Sequence, residues 1–112
     1  MITERRVSRD QLYLVIFRLF DDRFKRNSSI KPVFRFMNEI GLTRDEFTMS
    51  QLGYKLHINA VYISNTSLWD AVQCLNLLGL ININKKSTEQ TKELFLNVTN
   101  VGKDLYERGI TK

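Results

Sequence analysis

Cysteine and histidine are almost missing from this sequence, which has one of each among its 112 residues. A single cysteine cannot close an internal disulfide, and no Cys/His cluster has the spacing of metal ligands. We therefore expect a protein of the cytoplasm that carries no structural metal and needs no cofactor.

Long apolar runs are missing as well. The run at residues 12–17 is interrupted by Arg18, so it is too short to span a membrane, and it lacks the small-residue cleavage site of a signal peptide. The motifs of common catalytic sites are also absent, since there is no glycine-rich phosphate loop, nucleophile elbow or His-Glu zinc helix. We expect neither a membrane segment nor an enzyme.

What the sequence does contain is a moderate excess of positive charge on a composition typical of a packed globule. Lysine and arginine number 17 against 12 acidic residues, which gives a formal charge of +5, and 43% of the residues are hydrophobic. The length fits one domain over residues 1–112. The charge suits a polyanionic partner, and by itself it leaves nucleic acid, an acidic protein and anionic lipid open.

Ser8 and Gln11 form a capping-box pattern that predicts the start of a first helix. Residues 12–24 then carry too many apolar side chains for one stripe of a surface helix, so something else must cover part of them. One interpretation is a central helix buried within one monomer. The other is a homodimer with this helix at the interface, through Leu12, Val15, Ile16, Leu19 and Phe20.

Two more helices are predicted by local signals. Pro32 fits the first turn of the second helix, and Gly41 fits the position just past its end. Thr48 and Gln51 form another capping box, which starts a short third helix that runs to about residue 56.

A fourth helix and a hairpin follow. Ser64 or Asn65 caps the helix, Gly79 closes it, and its apolar face consists of Leu68, Ala71, Val72, Leu75 and Leu78. Cys74 falls outside this predicted face. Apolar and polar residues then alternate near residues 81–84 and 94–98, around a polar loop at residues 85–93, which predicts two strands. Thr99 or Asn100 caps a last helix.

This order predicts a mainly α (α+β) fold, namely a winged helix-turn-helix with a two-stranded wing hairpin and a helical dimer interface. The stretches Thr66-Ser67-Leu68, Gly79-Leu80-Ile81 and Val98-Thr99-x-x-Gly102 resemble the corresponding positions of MarR-like and PadR-like bacterial regulators. The long C-terminal helix of the PadR family is absent. Between residues 56 and 67 either the turn is long or the recognition helix begins as early as Asn59.

The recognition helix of such a fold enters the major groove, where base edges present a distinguishing pattern of donors and acceptors. The candidates for reading DNA there are Asn65, Thr66, Ser67, Asp70 and Gln73. Alternatively, these residues are the solvated face of a core helix. No Arg or Lys lies between Ser64 and Gly79, so attraction to phosphates must come from other groups. We expect it from Lys85, Lys86 and Lys92 in the wing, from Lys55 and Arg44, and from an N-terminal arm with Arg5, Arg6 and Arg9.

The layout is also similar to the TubR family of plasmid-partition adaptors. The resemblance lies in Phe36-Met37-Asn38-Glu39-x-Gly41, in the Leu80-Ile81 strand entry and in the modest C-terminal helix after Gly102. It implies a homodimer that binds repeated centromere sites of a plasmid or phage, represses its own operon and engages a tubulin-like GTPase. The alternatives are an ordinary dimeric repressor and, from another class, a winged helix used as a protein-protein module.

Overall fold

The computed structural model describes residues 8–87 and 92–112. Within them lie five helices and three strands. The helices are α1 (Arg9–Arg26), α2 (Ile30–Gly41), α3 (Met49–Ile58), α4 (Asn65–Leu77) and α5 (Asn100–Glu107). The strands are β1 (Phe47–Thr48), β2 (Ile81–Ser87) and β3 (Lys92–Val98). The fold is thus mainly helical with a small antiparallel sheet, as the α+β prediction requires.

Four helices begin at a side-chain cap that the sequence predicts. The capping residues of α1, α3, α4 and α5 are Ser8, Thr48, Ser64 and Thr99. Each hydroxyl accepts a hydrogen bond from the backbone amide three residues later, at distances of 3.0 to 3.2 Å. Because the first amides of a helix have no partner within it, these caps determine where the chain turns helical.

Helix α2 forms the centre of the fold. Val33, Phe34 and Met37 are fully buried, and the helix packs against α1, α3, α4, α5 and β3. The ring centroid of Phe34 lies 6.2 Å from that of Phe20 in α1 and 6.3 Å from that of Tyr106 in α5, which is within aromatic contact distance. Gly41, predicted to lie just past the end of α2, is instead its last residue.

The first helix divides into a covered and an uncovered side. Ile16 and Phe20, two of the five predicted interface residues, are buried within the monomer, so their assignment to a dimer interface is wrong. With Tyr13 they recur at spacings of three and four residues, which places them on one side of the helix, against the core. Leu12, Val15 and Leu19 are between 46% and 53% exposed. This part of the predicted interface is therefore accessible on the monomer, and its role in a dimer stays a prediction.

The sheet has the strand order β1-β3-β2, and all of its pairs are antiparallel. Leu96 of β3 is opposite Phe47 on one side and Ile83 on the other. Strand β1 was not predicted, because two residues are too few to show an alternating pattern. The predicted polar loop was too long, since residues 85–87 and 92–93 belong to the strands.

The hydroxyl group of Thr99 joins the end of α4 to the start of α5. Thr99 Oγ1 donates to the carbonyl oxygen of Gly79 at 2.7 Å and accepts from the amide of Gly102 at 3.0 Å. Gly79 has a φ of +76°, so a residue without a Cβ suits this helix end. Two of the stretches that carry the family resemblance, those around Gly79 and around Gly102, therefore lie in contact. No helix in the described ranges is long and apolar enough to cross a membrane.

Replacing Gly102 by alanine should destabilise the protein. A Cβ there would overlap the carbonyl oxygen of Leu80 and lie 3.0 Å from Cγ1 of Val98, and such overpacking costs about 1–3 kcal/mol or more. Gly53→Ala is the matched control, because no atom lies within 4 Å of the added Cβ. We expect this control to stabilise α3 by about 0.5–1 kcal/mol. Urea denaturation of both variants measures the difference, and equal free energies of unfolding would contradict the packing described at Gly102.

Candidate nucleic-acid interface

The two helices α3 and α4 are joined by a turn at residues 59–64. Ala60 adopts the left-handed conformation, with a φ of +57°, and the amide of Val61 donates to the carbonyl oxygen of Leu56 at 2.9 Å, which closes the end of α3. The helix after the turn begins at Asn65. Of the two interpretations of the long join, the long turn is therefore correct, and a helix start at Asn59 is wrong.

The side of α4 that faces away from the core carries most of the predicted reading residues. Thr66, Asp70 and Gln73 recur at spacings of four and three residues, so they share one face, and Asn65 lies beside them in the first turn. Asn65, Thr66 and Asp70 are exposed, while Gln73 is half-buried. The same side presents two large apolar residues, because Trp69 is 40% and Leu77 is 79% exposed.

Asn27, at the end of α1, ties that helix to α4. Its Nδ2 donates to the carbonyl oxygen of Ser67 at 3.1 Å and to Oδ2 of Asp70 at 3.0 Å. Its Oδ1 accepts from the amide of Ser29 at 3.0 Å. The side chain of Asp70 is therefore engaged within the protein, and Ser67 is half-buried at the edge of the face, which leaves Asn65, Thr66 and Gln73 as the better candidates for contact with a ligand.

The sequence alone did not reveal the role of Asn27. An asparagine after a helix is a common local turn residue, and nothing in the chain indicates a partner 40 residues away. Only the packing of α1 and α4 on the same core brings these groups within hydrogen-bond distance.

Cys74 is buried, so its predicted position outside the apolar face of α4 is wrong. The burial raises the pKa of its thiol, the carboxylate of Asp70 raises it further, and the guanidinium of Arg23 acts in the opposite direction. Cys74 therefore stays a neutral thiol near pH 7 and behaves as a small core residue. The predicted apolar face of α4 was too narrow, because α4 packs against both α2 and β2 and periodicity within one helix does not show how much of its surface they cover.

The predicted phosphate-binding groups differ in their exposure and in whether a carboxylate already pairs with them. Lys55 Nζ lies 3.8 Å from Oε2 of Glu39, so part of its charge is already balanced. Arg44 is exposed and lines a groove between α2 and α3 together with Lys55. Lys85 is exposed in β2. The side chains of Lys86 and Lys92, and the whole of Arg5 and Arg6, lie outside the described residues.

Comparisons with known proteins do not assign this chain to a family. A scan against protein-family models finds no match, and searches of the curated proteins and of the solved structures find none either. Within residues 8–87 and 92–112, no group of three or more His, Cys, Asp or Glu side chains is placed to hold a metal ion. The function must therefore be argued from the geometry of this chain.

Removing the side chain of Asn27 should loosen the start of α4. In Asn27→Ala the bonds to Ser67 and Asp70 are lost, and we expect about 1–2 kcal/mol of destabilisation together with faster hydrogen exchange at the amides of the first turns of α4. Asn82→Ala is the control, because Asn82 is exposed in β2 and such surface changes stay within about 0.5 kcal/mol. Unchanged exchange in α4 of the Asn27 variant would contradict the assigned role.

Proposed function

We propose that this chain is a winged helix-turn-helix protein that binds double-stranded DNA as a homodimer. The observation that carries the proposal is the order of elements around α4. A short helix, a turn and a longer helix with an exposed polar face are followed directly by an antiparallel hairpin, and β1 pairs with the second strand of that hairpin. In the proposal α4 is the recognition helix, the hairpin is the wing, and the protein acts in the cytoplasm without catalysis, metal or cofactor.

The proposed contacts follow from the exposed groups. Asn65, Thr66 and Gln73 face the base edges, where amide and hydroxyl side chains both donate and accept. The lysines of the hairpin contact the sugar-phosphate backbone or the minor groove, and Arg44 and Lys55 contribute from the groove between α2 and α3. Because α4 contains no Lys or Arg, these flanking cations supply the attraction to DNA. The side chains of α4 then contact the base edges.

The proposed dimer interface is the uncovered side of α1. Leu12, Val15 and Leu19 lie on it at spacings of three and four residues, and each is about half exposed. A contiguous apolar surface of this kind on a small protein is typical of an interaction site, and a twofold interface would bury the same three residues of both copies.

Leu19→Glu should dissociate the proposed dimer. Burial of a leucine side chain contributes about 1.5 kcal/mol or more, so losing two symmetry-related leucines weakens the dimer roughly a hundredfold. Leu14→Glu is the control, because Leu14 is also exposed but the helical repeat places it away from the stripe of Leu12, Val15 and Leu19. Light scattering over a range of concentrations reports the mass of each variant. A wild-type protein that is monomeric at high concentration would contradict the dimer.

Within DNA binding, we propose the narrower role of a plasmid- or phage-type partition adaptor and autorepressor, similar to TubR. What supports it is the sequence resemblance at Phe36-Met37-Asn38-Glu39-x-Gly41 and at Leu80-Ile81. In this role the protein binds clustered centromere repeats and engages a tubulin-like GTPase. The alternative is an ordinary dimeric repressor of MarR-like or PadR-like type. Selection and footprinting of bound fragments separate the two, because an isolated palindrome with half-sites about one helical turn apart would contradict partition.

A second candidate function is a protein-protein module, and one observation favours it. The exposed face of α4 carries Trp69 and Leu77, and tryptophan is enriched at the centres of protein interfaces. An acidic partner would then meet the basic surface of the rest of the chain. This candidate predicts negligible affinity for duplex DNA, even at low salt.

The salt dependence of DNA binding distinguishes the candidates. For the proposed function, the logarithm of the binding constant falls linearly with the logarithm of the salt concentration, by about 0.9 per phosphate contact. Lys85→Ala/Lys86→Ala should weaken binding to all sequences alike and reduce that slope by about 2. Lys103→Ala/Lys112→Ala, on exposed positions of the C-terminal region, removes the same charge and should change the slope little. Fluorescence anisotropy with a labelled duplex measures both variants.

A further inference from the structure

One side of α1 carries apolar residues in its first part and arginines in its last part. Leu12, Val15, Leu19, Arg23 and Arg26 follow one another at intervals of three, four, four and three residues, so they lie on one side of the helix. The first three are the apolar residues of the proposed dimer interface. The last two are arginines, and both are exposed.

The cationic end of this stripe lies beside α4. Asn27 follows Arg26 directly, and its side chain is bonded to Ser67 and Asp70 of α4 at 3.1 and 3.0 Å. The charge of Arg23, one turn earlier in α1, acts on the thiol of Cys74 in the last third of α4. The end of α1 thus runs beside α4, next to the face that carries the reading residues, whereas the hairpin follows the C-terminal end of α4.

Among residues 8–87 and 92–112, no carboxylate forms an ion pair with Arg23 or Arg26, whereas Arg35, Lys55 and Arg108 each pair with one. Cations in the last turn of a helix also interact favourably with its dipole, and that effect accounts equally well for Lys25. The dipole does not explain why the two arginines continue the stripe of the apolar residues, next to the asparagine that is bonded to α4.

We propose that Arg23 and Arg26 bind phosphates of the duplex beside α4, as a second backbone contact in addition to the hairpin. This inference rests on the proposed function. A guanidinium suits the task because it stays charged and offers several donors to phosphate oxygens. Together the two contacts hold an uncharged recognition helix in register. The apolar part of the stripe is left free for the second copy of the chain.

The test compares two double variants of the full chain. Arg23→Gln/Arg26→Gln removes the proposed contact. Arg18→Gln/Lys25→Gln removes the same charge from exposed positions on another side of α1. Binding to a labelled mixed-sequence duplex of about 30 base pairs is measured by fluorescence anisotropy at several salt concentrations, and thermal denaturation of each variant checks its folding. We expect the first variant to lose about tenfold or more in affinity and about 2 from the salt slope, and the second to keep the wild-type slope.

The outcomes separate this inference from the proposed function. If the wild type binds the duplex and the two variants lose affinity equally with unchanged slopes, the arginine contact is wrong and the proposed function stands. If the wild type does not bind the duplex at low salt, both are wrong. If Arg23→Gln/Arg26→Gln is destabilised, the single variants Arg23→Gln and Arg26→Gln replace it, and each should lose about 1 from the salt slope.

Discussion

The burial of α2 is the constraint on which the rest of this structure depends. Phe34 and Met37 have no contact with solvent, and the helix meets α1, α3, α4, α5 and β3 at once. Helices as short as α3 and α5 are marginal in isolation, so they owe their stability to this shared core. Both α3 and α4 pack against the same helix, and this common support determines how the two candidate DNA-binding helices are oriented to each other.

Two sets of side-chain hydrogen bonds then position α4 on this core. At its C-terminal end, the hydroxyl of Thr99 joins the carbonyl of Gly79 to the start of α5. Near its N-terminal end, Asn27 joins α4 to α1. A helix held at both ends by side chains from distant segments is a rigid platform, and rigid elements present a binding face more accurately than loops do.

In the proposed interface, the positive charges lie around α4 and not on it. The helix itself has no cation, and its exposed side mixes amides and hydroxyls with Trp69 and Leu77. Exposed cations are found in the hairpin at Lys85, beside α2 at Arg44 and at the end of α1. Phosphate contacts orient a protein without reading sequence, while base contacts specify it, so in the proposed function this arrangement separates the two tasks between different elements.

By itself, the sequence determined the local features of this protein. Four helix starts and the hairpin followed from caps and alternation, because these signals act within a few residues and depend little on the rest of the chain. The polar residues of α4 that share an exposed face were predicted for the same reason. The family expectation came from short stretches, two of which the fold brings into contact at Thr99, and the DNA-binding function stays a proposal.

Only the tertiary structure decided which sides of these elements are covered. Ile16, Phe20 and Cys74 are buried because other helices pack over them, and periodicity within one helix cannot show which neighbour does so. The strand pairing of Phe47 and the tie from Asn27 to Asp70 likewise join residues about 40 or more positions apart. Such contacts form because burying one shared core outweighs the entropy lost in closing long loops, and that balance belongs to the whole chain.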